Sequence, residues 1–288
     1  MPLPAVSFEF FPPQTMAGSF RLWDAVQTLA PLDPRFVSVT YGAGGTTRDL
    51  TVEAVDALSR QTDLTVAAHL TCVDATREET LDLAARFAKV GVRDLVALRG
   101  DPAKGSGAFE PAPGGFAGSV ELIAALAETG QFTLRVGAYP DPHPEAASPT
   151  ADVDHLAAKI DAGAHEALTQ FFFEPETFLR FRDACAARGI AAPITPGILP
   201  IEDWSRVKRF AARCGAKVPT WLDEAFATAD RDGRSDLLAV AVCTELCSTL
   251  IDEGVETLHF YTLNRPELTR DICCALGLRP RASLQKVA

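Results

Sequence analysis

Residues 64–101 read LTVAAHLTCVDATREETLDLAARFAKVGVRDLVALRGD, and their pattern decides the fold. Two short apolar runs, Leu64–Thr71 and Asp94–Gly100, flank Glu78–Lys89, where apolar residues recur every three to four positions. That is strand, amphipathic helix, strand. Thr76, just before Glu78 and Glu79, supplies a helix cap. A helix between two strands makes them parallel neighbours. Outward from this unit the alternation continues in both directions. Strands are expected at Val6–Phe11, Phe36–Tyr41, Leu134–Pro140, Glu166–Phe173, Ala192–Pro200 and Thr257–Asn264. Helical periodicity covers Leu50–Leu58, Val120–Ala127, Val153–Ala162 and Phe178–Ala187, with Thr150 and Ser235 as further candidate caps. Eight such units in under 300 residues predict an α/β fold, a closed (β/α)8 TIM barrel over residues 1–288. An additional short helix around Trp221–Phe226 precedes the last strand.

Bulk composition narrows the function. Hydrophobic residues make up 47 %, too many for a disordered chain. The formal charge of −11 argues against a nucleic-acid partner, which needs clustered basic side chains. No basic leader and no apolar run of membrane-spanning length are read, so the expectation is a cytoplasmic protein with no membrane partner. Seven cysteines form no CxxC pair and read as small core residues. Cys243 and Cys247 have ligand-compatible spacing but no partner ligands nearby in sequence, so no metal is expected.

Polar residues gather where the expected strands end, the face on which barrels of this kind carry their chemistry. They are Glu9, Thr40, Tyr41, His69, Thr71, Arg99, Gly100, Asp101, Tyr139, Gln170 and Tyr261 to Arg265. Glu9 sits among Phe8, Phe10 and Phe11, and desolvation is expected to raise its pKa, as suits a general acid. The alternative is a structural carboxylate paired across the barrel. Asp152, His155 and Lys159 share one helical face, which is either a ligand contact or a solvated charged face. Gly42–Thr47 matches neither nucleotide fingerprint and reads as a loop. His143 lies in a turn, His259 reads as a packing histidine and His165 as solvent-facing; Lys208, Arg209 and Arg213 form a surface edge.

Several of these runs together resemble one family. They are Ser7–Pro13, Val37–Ala43, His69–Cys72, Ala97–Asp101, Ala138–Pro140 with His143–Ala146, Thr169–Phe173, Pro196–Pro200 and His259–Arg265. In order, from about Val6 to Leu278, they are similar to methylenetetrahydrofolate reductase. The resemblance implies FAD-dependent reduction of 5,10-methylenetetrahydrofolate to 5-methyltetrahydrofolate, with NADH or NADPH as donor. It implies FAD contacts from Thr40, His69, Arg99, Gly100, Asp101, Ala117, Tyr139, His143, Asp152 and Lys159. It makes Glu9 the general acid, and Asp101 the carboxylate that tunes the flavin. It assigns Gln170, Phe210, Tyr261 and Arg265 to folate or the nicotinamide. Two positions depart from better-known bacterial members: Phe116 replaces a tyrosine that contacts FAD, and Arg206 replaces a glutamine beside the substrate. No S-adenosylmethionine-regulated domain is expected, and a homo-oligomer is compatible with the sequence. The competing readings are another flavin-dependent barrel dehydrogenase and a flavin-free folate-binding homologue. Retention of Arg99, Asp101, Asp152 and Lys159 counts against the flavin-free one.

Overall fold

The computed structural model describes residues 3–41, 48–102, 109–146, 148 and 150–281; the Gly42–Thr47 loop lies outside them. Nine parallel strands alternate with ten α-helices among these residues. The strands are β1 (Ala5–Phe10), β2 (Val37–Val39), β3 (Val66–Thr71), β4 (Asp94–Leu98) and β5 (Thr133–Ala138), then β6 (Glu166–Thr169), β7 (Ile194–Thr195), β8 (Gly197–Ile198) and β9 (Thr257–Tyr261). The sheet runs β7-β6-β5-β4-β3-β2-β1-β9-β8. Its two outermost strands are consecutive in the chain, separated only by Pro196, so the sheet curls into a barrel. The expected seventh strand is therefore split. Ile194 and Thr195 pair with β6, whereas Gly197 and Ile198 pair with β9. Proline has no N–H to give a ladder, and the strand changes partner there. The Pro196 carbonyl still accepts from His259 N–H at 3.0 Å.

Helices cover the outside: α1 (Met16–Leu29), α2 (Arg48–Gln61), α3 (Arg77–Lys89), α4 (Ser119–Glu128), α5 (Ala151–Asp161) and α6 (Pro175–Ala187), then α7 (Trp204–Cys214), α8 (Thr220–Arg231), α9 (Ser235–Asp252) and α10 (Pro266–Ala275). Thr76 forms the full capping box with Glu79. Thr150 makes no side-chain cap bond, and Ser235 is the first helical residue of α9 rather than its cap. The expected extra helix around Trp221–Phe226 is α8, and α9 follows it from the position where Ser235 marked a helix start. No helix among the described residues is long and apolar enough to cross a membrane.

Alternation along each strand sorts side chains into two cores. Val6, Phe8 and Phe10 point outward and join the large strand–helix core with Leu70, Leu95 and Val136. The inward set holds a smaller cluster of Phe36, Ala67, Val96 and Leu168. Below it, at the strand starts, Arg135 is bound by Asp94 at 2.5 Å and by Glu166 at 2.9 Å. Above it, at the strand ends, the barrel opens.

Candidate active site

A cleft of about 790 Å³ occupies that open end, within the range of about 300–1,000 Å³ typical of ligand sites. Its wall includes Glu9, Thr40, His69, Arg99, Gly100, Asp101, Tyr139, His143, Asp152, Lys159, Gln170, Phe210 and Tyr261. Thirteen of the fifteen residues expected from the sequence thus meet around one space. Ala117 and Arg265 do not. The Ala117 N–H donates to Glu121 at 3.1 Å, and Arg265 turns to Glu202 at 2.8 Å.

Glu9 projects from β1 between two histidines. Its Oε2 lies 3.2 Å from His69 Nε2 on β3 and 3.8 Å from His259 Nε2 on β9. Ser7 Oγ, two residues earlier on the same face, is 2.8 Å from His259 Nδ1 and fixes that ring. Burial works to raise the Glu9 carboxyl, as the flanking phenylalanines imply. The charge of His69 and the contacts with His259 and His69 outweigh burial and lower its pKa to about 2. The expected upward shift is therefore corrected. Phe8 and Phe10 face the helices, and Glu9's own neighbours are basic rings on other strands. His259 is fully buried, yet it is more than packing, because it faces the carboxylate.

The wall formed by β4, β5 and α5 sets two cations, Arg99 and Lys159, among three carboxylates, Asp101, Glu145 and Asp152. Arg99 donates to Glu145 at 2.7 Å and lies 3.8 Å from Asp101. Lys159 is only 6 % exposed, so its helix face looks into the cleft rather than into solvent. Its Nζ donates to the Gly137 carbonyl at 2.8 Å, and burial pushes its pKa down to about 8. Asp152 accepts the His143 N–H at 2.8 Å, and the His143 ring meets Tyr139 edge-on at 4.7 Å. His155 lines the same wall.

The third wall is aromatic. Phe210 of α7 stacks on Phe171 with centroids 5.3 Å apart, so it belongs to the cleft as well as to the core. Tyr261 OH donates to the Thr169 carbonyl at 2.6 Å, which leaves its ring, not its hydroxyl, to face a ligand. A Cβ at Gly197 would stand 2.1 Å from Thr169 O and 2.6 Å from the Tyr261 ring. Only glycine fits beneath that tyrosine. Gln170 uses Oε1 to accept the Phe171 N–H at 3.1 Å.

A family model for methylenetetrahydrofolate reductase matches residues 3–277. The chain belongs to the methylenetetrahydrofolate reductase family. It is 44 % identical to 5,10-methylenetetrahydrofolate reductase of Salmonella typhimurium over 96 % of this chain and 91 % of that one. The Escherichia coli enzyme of the same name is 43 % identical with the same coverage. Among solved structures, a Clostridium thermocellum protein described as binding two copies of 5-methyl-5,6,7,8-tetrahydrofolic acid superposes with a TM-score of 0.63. It covers 96 % of this chain and 94 % of its own at 14 % identity, a likeness of fold.

Within this reductase family the two departures have a structural setting. Phe116 is fully buried beneath the Arg77 guanidinium, 4.5 Å from its ring, and is not part of the cleft wall. Arg206 is exposed and paired with Asp203 at 3.1 Å. Ser7, Glu145 and Gly197 lie inside the family-like runs but had no individual role in the sequence, and Glu202 lies outside those runs. Only Gly197, beside Pro196, carried a local signal; the others gain meaning from partners distant in sequence.

Proposed function

We propose that this reductase converts 5,10-methylenetetrahydrofolate to 5-methyltetrahydrofolate with FAD as resident cofactor and NADH or NADPH as donor, in ping-pong order. The observation that carries the reading is one cleft with a carboxylate between two histidines on one wall and a buried lysine beside an arginine on another. The residues fit a flavin dinucleotide. Thr71 Oγ1 is buried in the wall without a hydrogen-bond partner among the described residues, ready for a polar ligand. Lys159 and Arg99 supply charge for a diphosphate, and Asp152 can accept from sugar hydroxyls. Bound FAD would supply hydride transfer between nicotinamide and folate.

The protein's own part in the folate step is a proton. Opening the methylene bridge requires protonation at N10, and Glu9 is the group assigned to it. In the resting cleft Glu9 is ionised, held so by its contacts with His69 and His259. Filling the cleft removes water and favours the neutral carboxyl, so that Glu9 enters the folate step protonated. Gln170 can donate and accept together, which matches a pterin edge, and Phe210 offers a ring face.

The two half-reactions separate these roles. Glu9→Gln should slow folate reduction by about 10²–10⁴-fold or more, while flavin reduction by the nicotinamide proceeds nearly unchanged. Stopped-flow absorbance of the flavin reads each half. Equal losses in both halves would reduce Glu9 to a structural carboxylate. A colourless protein that turns over without added flavin would end the FAD reading.

A further inference from the structure

The end of α7 is fastened to the turn that carries His143. α7 closes on Gly215, whose φ of 74° lies in the left-handed region that glycine reaches without strain. A Cβ at that position would stand 3.0 Å from the Pro144 ring and 3.5 Å from the Pro142 carbonyl, so the helix end and the proline turn are in contact. Two residues on, the Lys217 N–H donates to Asp141 Oδ2 at 3.1 Å. The Asp141 side chain is 9 % exposed, whereas that of Lys217 is 78 % exposed with its Nζ 3.9 Å from Oδ1. The carboxylate therefore serves the backbone N–H first and the solvated ammonium second. On its other face the same turn belongs to the cleft. His143 gives its N–H to Asp152 and sets its ring against Tyr139; its Nδ1 accepts the Glu145 N–H at 3.1 Å, and Glu145 holds Arg99. The turn thus joins the wall of Arg99 and Lys159 to the helix that carries Phe210.

We propose that Asp141 is a positioning residue for this reaction: through the Lys217 N–H it ties α7 to the flavin wall, so that filling the wall fixes Phe210 for the second ligand. The inference rests on the reading above, in which FAD occupies that wall and Phe210 faces folate or the nicotinamide. Asp141 stands outside the cleft wall, so it acts through α7 and not on a ligand. A cofactor that orders the His143 turn orders α7 through this carboxylate. By linkage, whatever orders α7 also tightens the turn around the cofactor. Without the carboxylate the Lys217 N–H turns to water, and the two ends of the tie move independently.

Hydrogen exchange across residues 204–217, followed by mass spectrometry with and without FAD, tests this together with the KM of each substrate. In the unaltered protein FAD should slow exchange in this segment by about three- to tenfold, the scale of one hydrogen bond. Asp141→Ala should abolish that slowing and raise the KM for folate and for the nicotinamide by about three- to tenfold, with kcat changed less. Asp141→Asn keeps an acceptor for the Lys217 N–H and should restore most of both effects. Because the effect passes through Phe210, Asp141→Ala should add little to the KM already raised by Phe210→Ala. A merely structural role would lower stability, leave both KM values in place and add its loss to that of Phe210→Ala. Additive losses, an unmoved KM, or a FAD effect on exchange that survives in Asp141→Ala each overturn the inference. Should Asp141→Ala fail to fold, the unaltered protein still decides: FAD bound without slower exchange in this segment overturns the inference alone. An unaltered protein that binds no FAD overturns the cofactor reading and the inference with it.

Discussion

Lys159 shows how a single residue can be costly to the fold and useful to the site. Its ammonium is buried and its pKa is pushed down to about 8, so below that pH the folded protein carries a poorly solvated charge. For a cation whose folded pKa is depressed, stability rises as pH climbs from the folded value toward the unfolded one. An anion placed beside Nζ reverses the shift and binds together with a proton whenever the lysine is neutral. Flavin affinity should therefore fall above about pH 8, by up to about one decade per pH unit. Lys159→Met should weaken binding, abolish that pH slope and make the flavin-free protein more stable. Fluorescence titration of FAD from pH 7 to 9.5 reads the slope; a parallel slope in Lys159→Met would place the titrating group elsewhere. The sign of such shifts was only half legible in the sequence. Glu9's aromatic neighbours implied desolvation, but the histidines that reverse it sit on β3 and β9, and Ser7 meets His259 across 252 residues. Sequence adjacency reports which groups are buried, not which charges they are buried against.

At the level of elements, β8 is two residues long and carries a disproportionate share of the site. Gly197 N–H donates to Thr169 Oγ1 at 2.9 Å, while Thr169 O accepts from Tyr261, so three strand ends are locked around one glycine. Gly197→Ala cannot be seated without moving Thr169 O or the Tyr261 ring. Overpacking of this kind costs about 1–3 kcal/mol, and the displaced Tyr261 should raise the folate KM more than the nicotinamide KM. Urea unfolding together with steady-state kinetics checks both effects; a variant with wild-type stability would mean the strand has slack that the contacts do not show. Most elements were readable beforehand because each strand alternates and each helix repeats at its own period. The split at Pro196 was not. Ala192–Pro200 is continuously apolar enough to pass as one strand, and the change of partner depends on where β6 and β9 end. Similarly, Phe171, Phe172 and Phe173 extend the apparent sixth strand, yet the ladder stops at Thr169 and those rings pack beyond it.

Across the whole molecule, the barrel axis is a column of stacked groups with chemistry at one end and a charge plug at the other. Glu166 and Asp94 hold Arg135; the Arg135 guanidinium lies 3.9 Å over Phe36; Phe36 stacks on His259 at 5.7 Å; and His259 faces Glu9. Thr195 and Arg35 both donate to Glu166 Oε1, at 2.6 and 3.0 Å, while Arg135 holds Oε2, so both carboxylate oxygens are hydrogen-bonded. Burial raises the Glu166 carboxyl, but those partners and Arg135 outweigh it and leave its pKa lowered. A depressed carboxylate stabilises the fold above its unfolded pKa, and that contribution is lost as pH falls through the folded value. Arg135→Met would leave two buried carboxylates short of a partner, at a cost of about 3–5 kcal/mol. The loss should be largest at neutral pH and shrink under acid, as Glu166 takes up a proton. Because Phe36 separates the plug from His259, flavin affinity at a temperature where the variant is folded should stay close to that of the unaltered protein. Guanidinium unfolding at pH 7 and pH 4.5, paired with FAD titration at pH 7, resolves the two ends. A stability loss that does not depend on pH would show that Arg135 acts through its packing on Phe36 instead of its charge. A matching loss of flavin affinity would show that the column transmits strain from the plug to the cleft.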